Sequence, residues 1–211
     1  MTGERLRQHG EDLLVVLAPG LFAAGLCFLP PTVFASGDFL LYWKPTFHFL
    51  AESVRAGTLP LWNPYVGLGR PFLADMQNAV CYPPVYLICA GQELGVFLLV
   101  WLHCLLAMIG MRRLGSVLGT GRWQSYLMGF SFLACGPLTA RWAAGQITYC
   151  WGLCYLPWLL YHAVRTEEPW QGRRLAQYGG CLALQFLCGH PQVFWFSAIG
   201  QAAFILTSTL R

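Results

Sequence analysis

The chain has 211 residues, of which 56% are hydrophobic, 15% aromatic and 10% charged, with a formal net charge of +4. Soluble domains carry about 25% charged residues, so this composition excludes an ordinary soluble domain and points to an integral membrane protein. The charge is small and spread out, with no basic run of the kind that grips nucleic acid, so no nucleic-acid partner is expected.

The first apolar run, Leu13 to Phe34, carries no charge and is long enough to cross about 30 Å of hydrocarbon. It is too long for the apolar part of a signal peptide and no A-x-A site follows it, so it reads as a retained helix. Further spans are expected at Leu94–Met111, Trp123–Ala140, Ile147–Val164, Leu175–Cys188 and Val193–Leu210. The fifth has an apolar stretch of about 14 residues, short enough to be re-entrant, although Arg173 and Arg174 can snorkel and extend it. The expected fold is all-α: a polytopic transmembrane helix bundle of about six spans, one domain over residues 1–211, with five spans plus a re-entrant piece as the alternative.

Orientation follows from the arginines. With the N-terminus inside, the inner segments hold Arg5, Arg7, Arg112, Arg113, Arg122, Arg165, Arg173, Arg174 and Arg211, and the outer ones hold Lys44, Arg55, Arg70 and Arg141. The positive-inside rule favours this arrangement. Trp123 and Trp170 then mark the inner interface, Trp142 and Trp195 the outer one, and residues 35–93 form a long first outer loop.

That loop opens with Asp38, just past the first span, where a carboxylate at headgroup depth is partly desolvated and suited to act as a base. The competing role is a cap for the segment that follows. From Pro45 to Ala56, Phe47, Leu50, Ala51 and Val54 recur at helical spacing, with Pro45 suited to the first turn and Gly57 to the stop. Such a helix is expected to lie in the interface plane. The stretch "PLWNPYVGLGRPFLADMQNAVCYPP", Pro60 to Pro84, is stiffened by proline and holds Arg70 and Asp75. It is a poor spacer and a good wall, with Tyr82 and Tyr86 suited to the interface.

The later outer turns bring Arg141 and Gln146, then His190 and Gln192. His103, in the middle of the second span, reads as a helix–helix hydrogen-bonding residue. Cys27, Cys104, Cys135, Cys150, Cys154, Cys181 and Cys188 fall in apolar stretches where cysteine packs as a small hydrophobe. Prolines 83 and 84 argue against pairing of Cys81 with Cys89, and no spacing fits a metal site.

Asp38, "LPLWNPYVGLGRPFLADMQNAVCYPP", "GQITYCWGLCYLPWLL" and "GHPQVFWF" together resemble the YfhO-like membrane proteins, which belong to the polytopic glycosyltransferases of the GT-C type. The likeness runs from about Gly37 onward, and the "PLWNPY" block with the following "YPP" is its most specific part. The resemblance implies transfer of a sugar from a polyprenyl-phosphate carrier to a glycan, lipid or polymer acceptor on the outer face of a bacterial inner membrane. It implies an acidic base near the end of the first span, the position of Asp38. Lys44, Arg70, Arg141, His190 and Gln192 are the candidates for the departing phosphate, and Asp75 is the candidate second carboxylate. Trp43, Trp62 and Tyr65 are candidates for stacking on the sugar. No cofactor is assigned, and a divalent metal bridging carboxylate and phosphate stays open.

Relatives of this type are generally longer, so the resemblance leads to the expectation of an N-terminal fragment or a truncated open reading frame, and many carry an adjacent acidic pair where Asp38 is followed by Phe39. Two other readings stand beside the enzyme: a lipid-linked sugar transporter or flippase, and a non-catalytic membrane fragment.

Overall fold

The computed structural model describes residues 17–29, 33–165 and 172–209. Residues 13–16 and 30–32 of the first apolar run, the orientation markers Arg5, Arg7, Trp170 and Arg211, and Leu210 of the last expected span lie outside the described residues.

The described chain is mostly helical, as the composition predicts. Two segments are long and apolar enough to cross a membrane. One is Leu17–Ala35, whose described residues form α1 (residues 17–28) and a 3-10 turn, Val33–Ala35; the other is α3, Gln92–Val117. Between them lie a π-helical turn, Phe39–Trp43, then α2 (Lys44–Arg55) and a hairpin of β1 (Trp62–Asn63) with β2 (Arg70–Pro71). In that antiparallel pair Trp62 faces Pro71 and Asn63 faces Arg70. Two 3-10 segments, Met76–Asn78 and Pro83–Ala90, lead into α3.

The third and fourth apolar runs depart from the expected single spans. The third is split into α4 (Arg122–Leu133) and α5 (Gly136–Ala143), and the fourth into α6 (Ile147–Cys154) and α7 (Leu156–Ala163). Proline causes both breaks: Pro137 and Pro157 each occupy the first turn of the later helix, where their missing N–H does no harm, and each would interrupt a continuous ladder. The fifth and sixth runs are α8 (Gly172–Leu187) and α9 (Pro191–Thr209).

The core forms where the outer loop meets α3 and α6. Phe47 of α2, Phe72 and Tyr82 of the loop, His103 of α3 and Trp151 of α6 are each fully buried. Phe47 and His103 lie parallel to the Trp151 ring at 6.2 and 5.1 Å. The apolar face of α2 is therefore covered by protein rather than resting on lipid, and Val54 falls outside it at 38% exposed. Tyr82 and Trp142 are fully buried too, so neither is the interface anchor its position suggested. Trp195 and Trp123 remain exposed.

A hydrogen-bonded chain runs through this core. The Leu99 carbonyl, 2.6 Å from His103 Nδ1, can only accept, so Nδ1 carries the proton. Nε2 of that neutral tautomer then accepts from the Tyr82 hydroxyl at 2.7 Å, and Tyr82 accepts from Tyr155 at 2.6 Å. His103 thus bonds the outer loop rather than another long helix. Tyr155 is the residue between α6 and α7, so the loop is pinned at the helix break.

Candidate functional site

A cavity of about 390 Å3 opens where three chain turns converge on the start of the outer loop. Its first wall is helical. Ser36 caps this wall, accepting the Phe39 N–H on Oγ at 3.2 Å while its hydroxyl donates to the Val33 carbonyl at 2.9 Å. Asp38 lies in the first turn beyond that cap, where a helix N-terminus favours negative charge. Ser36, and not Asp38, is therefore the capping residue. Asp38, Tyr42 and Trp43 all line the cavity.

The π turn shapes this wall. The Lys44 N–H bonds the Phe39 carbonyl, five residues back, and the residue inserted in this way turns α2 relative to the segment before it. Asp38 and Tyr42 share one face, whereas Phe47 and Leu50 of α2 face the core. Lys44 leaves the Asp38 cavity and lines another, with Gln92 and Glu93.

The second wall is the turn between α5 and α6. Arg141 donates to the Gln146 side chain, and its guanidinium stands 4.7 Å from the centre of the Tyr149 ring. The Tyr149 ring in turn meets His190 edge-on at 4.9 Å, from the turn between α8 and α9. Arg141, Tyr149 and His190 therefore form one row along the cavity, with Gln192 beside them. Burial lowers the His190 pKa from its ordinary value; a hydrogen bond to the Gln192 side chain acts upward, and the Arg141 charge adds to the lowering.

Two glycines set these turns in place. Gly189, at φ 94°, lies where a β-carbon would sit 2.6 Å from the Met76 carbonyl oxygen, so only glycine lets the His190 turn close on the loop that carries Gln77. Gly145, at φ 77°, makes the matching approach to the Ser36–Phe39 turn.

The other candidates lie outside this cavity. Arg70 pairs with Asp75 at 3.4 Å and donates to the Tyr42 hydroxyl at 3.4 Å. Asp75 also accepts the Gln77 N–H at 3.0 Å. This pair acts on the site through Tyr42, which lines the cavity and also donates to Asn78 at 3.1 Å. Burial raises the Tyr42 phenol, Asp75 adds to the rise and Arg70 opposes it. Trp62 and Tyr65 are exposed on the hairpin, where Trp62 packs under Gly69. Asp38 itself is exposed, so the desolvation expected from its place in the sequence is not supplied by the chain.

Tyr42, Gln77, Thr148 and Tyr149 line the cavity without having been singled out in the sequence. Tyr42 was available as the residue one helical turn after Asp38, and Tyr149 as the residue one turn after Gln146. Gln77 and Thr148 carry no such signal. Among the described residues, no group of three or more His, Cys, Asp or Glu side chains could hold a metal ion. Comparison with family models, curated proteins and solved structures finds no match to this chain.

Proposed function

We propose that this chain is a multi-pass membrane glycosyltransferase of the GT-C type, similar to the YfhO-like proteins, with its N-terminus cytoplasmic and its cavity at the outer face. The observation that carries the reading is the meeting of Asp38 with Arg141 and His190 in one cavity, although more than 100 residues separate Asp38 from either. The motif block from Leu59 to Pro84 supplies the substrate class, a sugar on a polyprenyl phosphate.

Asp38 takes the proton of the acceptor hydroxyl as its oxygen attacks the anomeric carbon. The bond from that carbon to the phosphate oxygen breaks, and its electron pair leaves with the polyprenyl phosphate. The leaving group is already a stable anion, so no acid is needed. Fixed positive charge and hydrogen-bond donors are needed instead, and Arg141, His190 and Gln192 provide them. Trp43 and Tyr149 offer ring surface to the sugar.

The test is transfer from a labelled polyprenyl-phosphate hexose by the chain in proteoliposomes. Asp38→Asn is expected to lower the rate by a factor on the order of 100 or more while leaving membrane insertion intact. Wild-type rates in that variant would remove Asp38 from the mechanism.

One observation favours the transporter as a second reading. The breaks between α4 and α5 and between α6 and α7 resemble the discontinuous helices of transporters. Movement of a labelled lipid-linked sugar across the bilayer without release of polyprenyl phosphate would select it.

A further inference from the structure

A second cavity, of about 490 Å3, lies between α3, α7 and α8. It is at the end of the bundle away from Asp38. Arg113, which lines it, stands 21 residues along α3 from Gln92, about 30 Å at helical rise. Gln92 itself bonds the Lys44 carbonyl beside the outer loop.

The lining is basic and aromatic: Arg113 from α3, Trp158, Tyr161 and His162 from α7, Arg173 and Gln177 from α8. Among the described residues, no acidic side chain lines it and no ion pair engages Arg113 or Arg173. Other groups around it are fixed by bonds of their own. Trp158 donates to the Leu106 carbonyl at 2.8 Å, Arg174 donates to the His162 carbonyl at 2.6 Å, and Arg165 donates to the Tyr161 hydroxyl at 2.8 Å. His162 is 2% exposed, and its Nδ1 has no hydrogen-bond partner. A buried polar atom of this kind normally has one.

Two guanidinium groups without an ion pair among the described residues, an orphaned imidazole nitrogen and the Trp158 and Tyr161 rings describe a receptor for a phosphate. Guanidinium grips phosphate by paired N–H donors, and basic pockets between helices at the cytoplasmic side suit lipid headgroups. We infer that this cavity binds a phosphate group, supplied either by an anionic phospholipid or by a soluble phosphate. It is separate in place and partners from the Asp38 cavity and goes beyond the function proposed for that cavity.

Native mass spectrometry of the full chain in detergent tests this, with dioctanoyl phosphatidylglycerol and inorganic phosphate as separate probes. The control is Arg112→Gln, because Arg112 is the neighbouring arginine but stacks on Tyr126 at 4.5 Å and does not line the cavity. The inference expects at least one probe to bind the wild type. Arg113→Gln combined with Arg173→Gln is expected to weaken that binding by about tenfold or more, with Arg112→Gln close to wild type. Retention of the lipid alone identifies a headgroup site, and equal retention of inorganic phosphate identifies a soluble ligand. Three outcomes overturn the inference: no binding of either probe, binding unchanged in the double variant, or an equal loss in Arg112→Gln. Both arginines are exposed, so the double variant is expected to fold, and its melting temperature checks this.

Discussion

Gly145 lies directly against Ser36. A β-carbon at position 145 would fall inside contact distance of Ser36 Oγ and 2.9 Å from the Phe39 nitrogen. Ser36 is also the cap that starts the helical turn carrying Asp38, so one contact joins that helix to the turn that carries Arg141.

Gly145→Ala should therefore do two things. Its φ of 77° strains any side chain, and the added methyl must push the Ser36 turn away. Together these cost about 1–3 kcal/mol. The variant should melt lower than wild type and bind a polyprenyl-phosphate donor more weakly, because Asp38 and Arg141 separate. An unchanged melting temperature would mean that the turn yields freely.

His190 gives the cavity a pH dependence. Its pKa is lowered by burial and by Arg141, so the folded chain holds the neutral ring. The contribution of that ring to stability is complete above the ordinary value of 6.5 and is lost as pH falls through the lowered folded value. A bound phosphate reverses the local field and favours the charged ring. Donor binding is expected to tighten as pH falls from above the ordinary value of 6.5 toward the lowered value of the free chain. His190→Gln should flatten that slope, and a slope unchanged in the variant would assign it to another group.

The sequence carried the helical class plainly, because few charged residues and long apolar runs leave little choice. It did not carry the interruptions. Cys135–Pro137 and Tyr155–Pro157 look like interior positions of apolar runs, and proline settles them only once the neighbouring helices supply the packing. That Asp38, Arg141 and His190 fall at one end of the bundle was legible, because each follows the end of an apolar run. Lys44 and Arg70 lie outside the Asp38 cavity for reasons that residue order does not carry. Both lie near Asp38 in sequence, but helical rotation turns Lys44 away and Asp75 holds Arg70. Trp62 and Tyr65 depend on hairpin geometry, and nothing in the residue order says which way a two-residue ribbon points.

Tyr82→Phe probes the core rather than the cavity. Burial raises the Tyr82 phenol, so it stays protonated and donates to His103. The variant keeps the ring but leaves His103 Nε2 without its donor and Tyr155 without its acceptor. Stranding these buried groups costs about 1–3 kcal/mol. Thermal melting should show this loss, and it should exceed that of Tyr86→Phe, whose hydroxyl serves a single carbonyl, that of Val80, at 2.7 Å.

Asp75 separates structural from chemical carboxylates. Its oxygens meet the Gln77 N–H, the Tyr42 hydroxyl and the Arg70 guanidinium, and none of these is a place for an acceptor hydroxyl. Asp75→Asn keeps an oxygen for the Gln77 cap and loses the charge facing Arg70. Both partners of that pair are about a third exposed, so the loss should stay below about 1 kcal/mol. Transfer by Asp75→Asn should remain within a fewfold of wild type, in contrast to Asp38→Asn. Loss of transfer in both variants, with folding intact, would mean that the two carboxylates act together and that Tyr42, which bonds Asp75 and lines the cavity with Asp38, belongs to the chemistry.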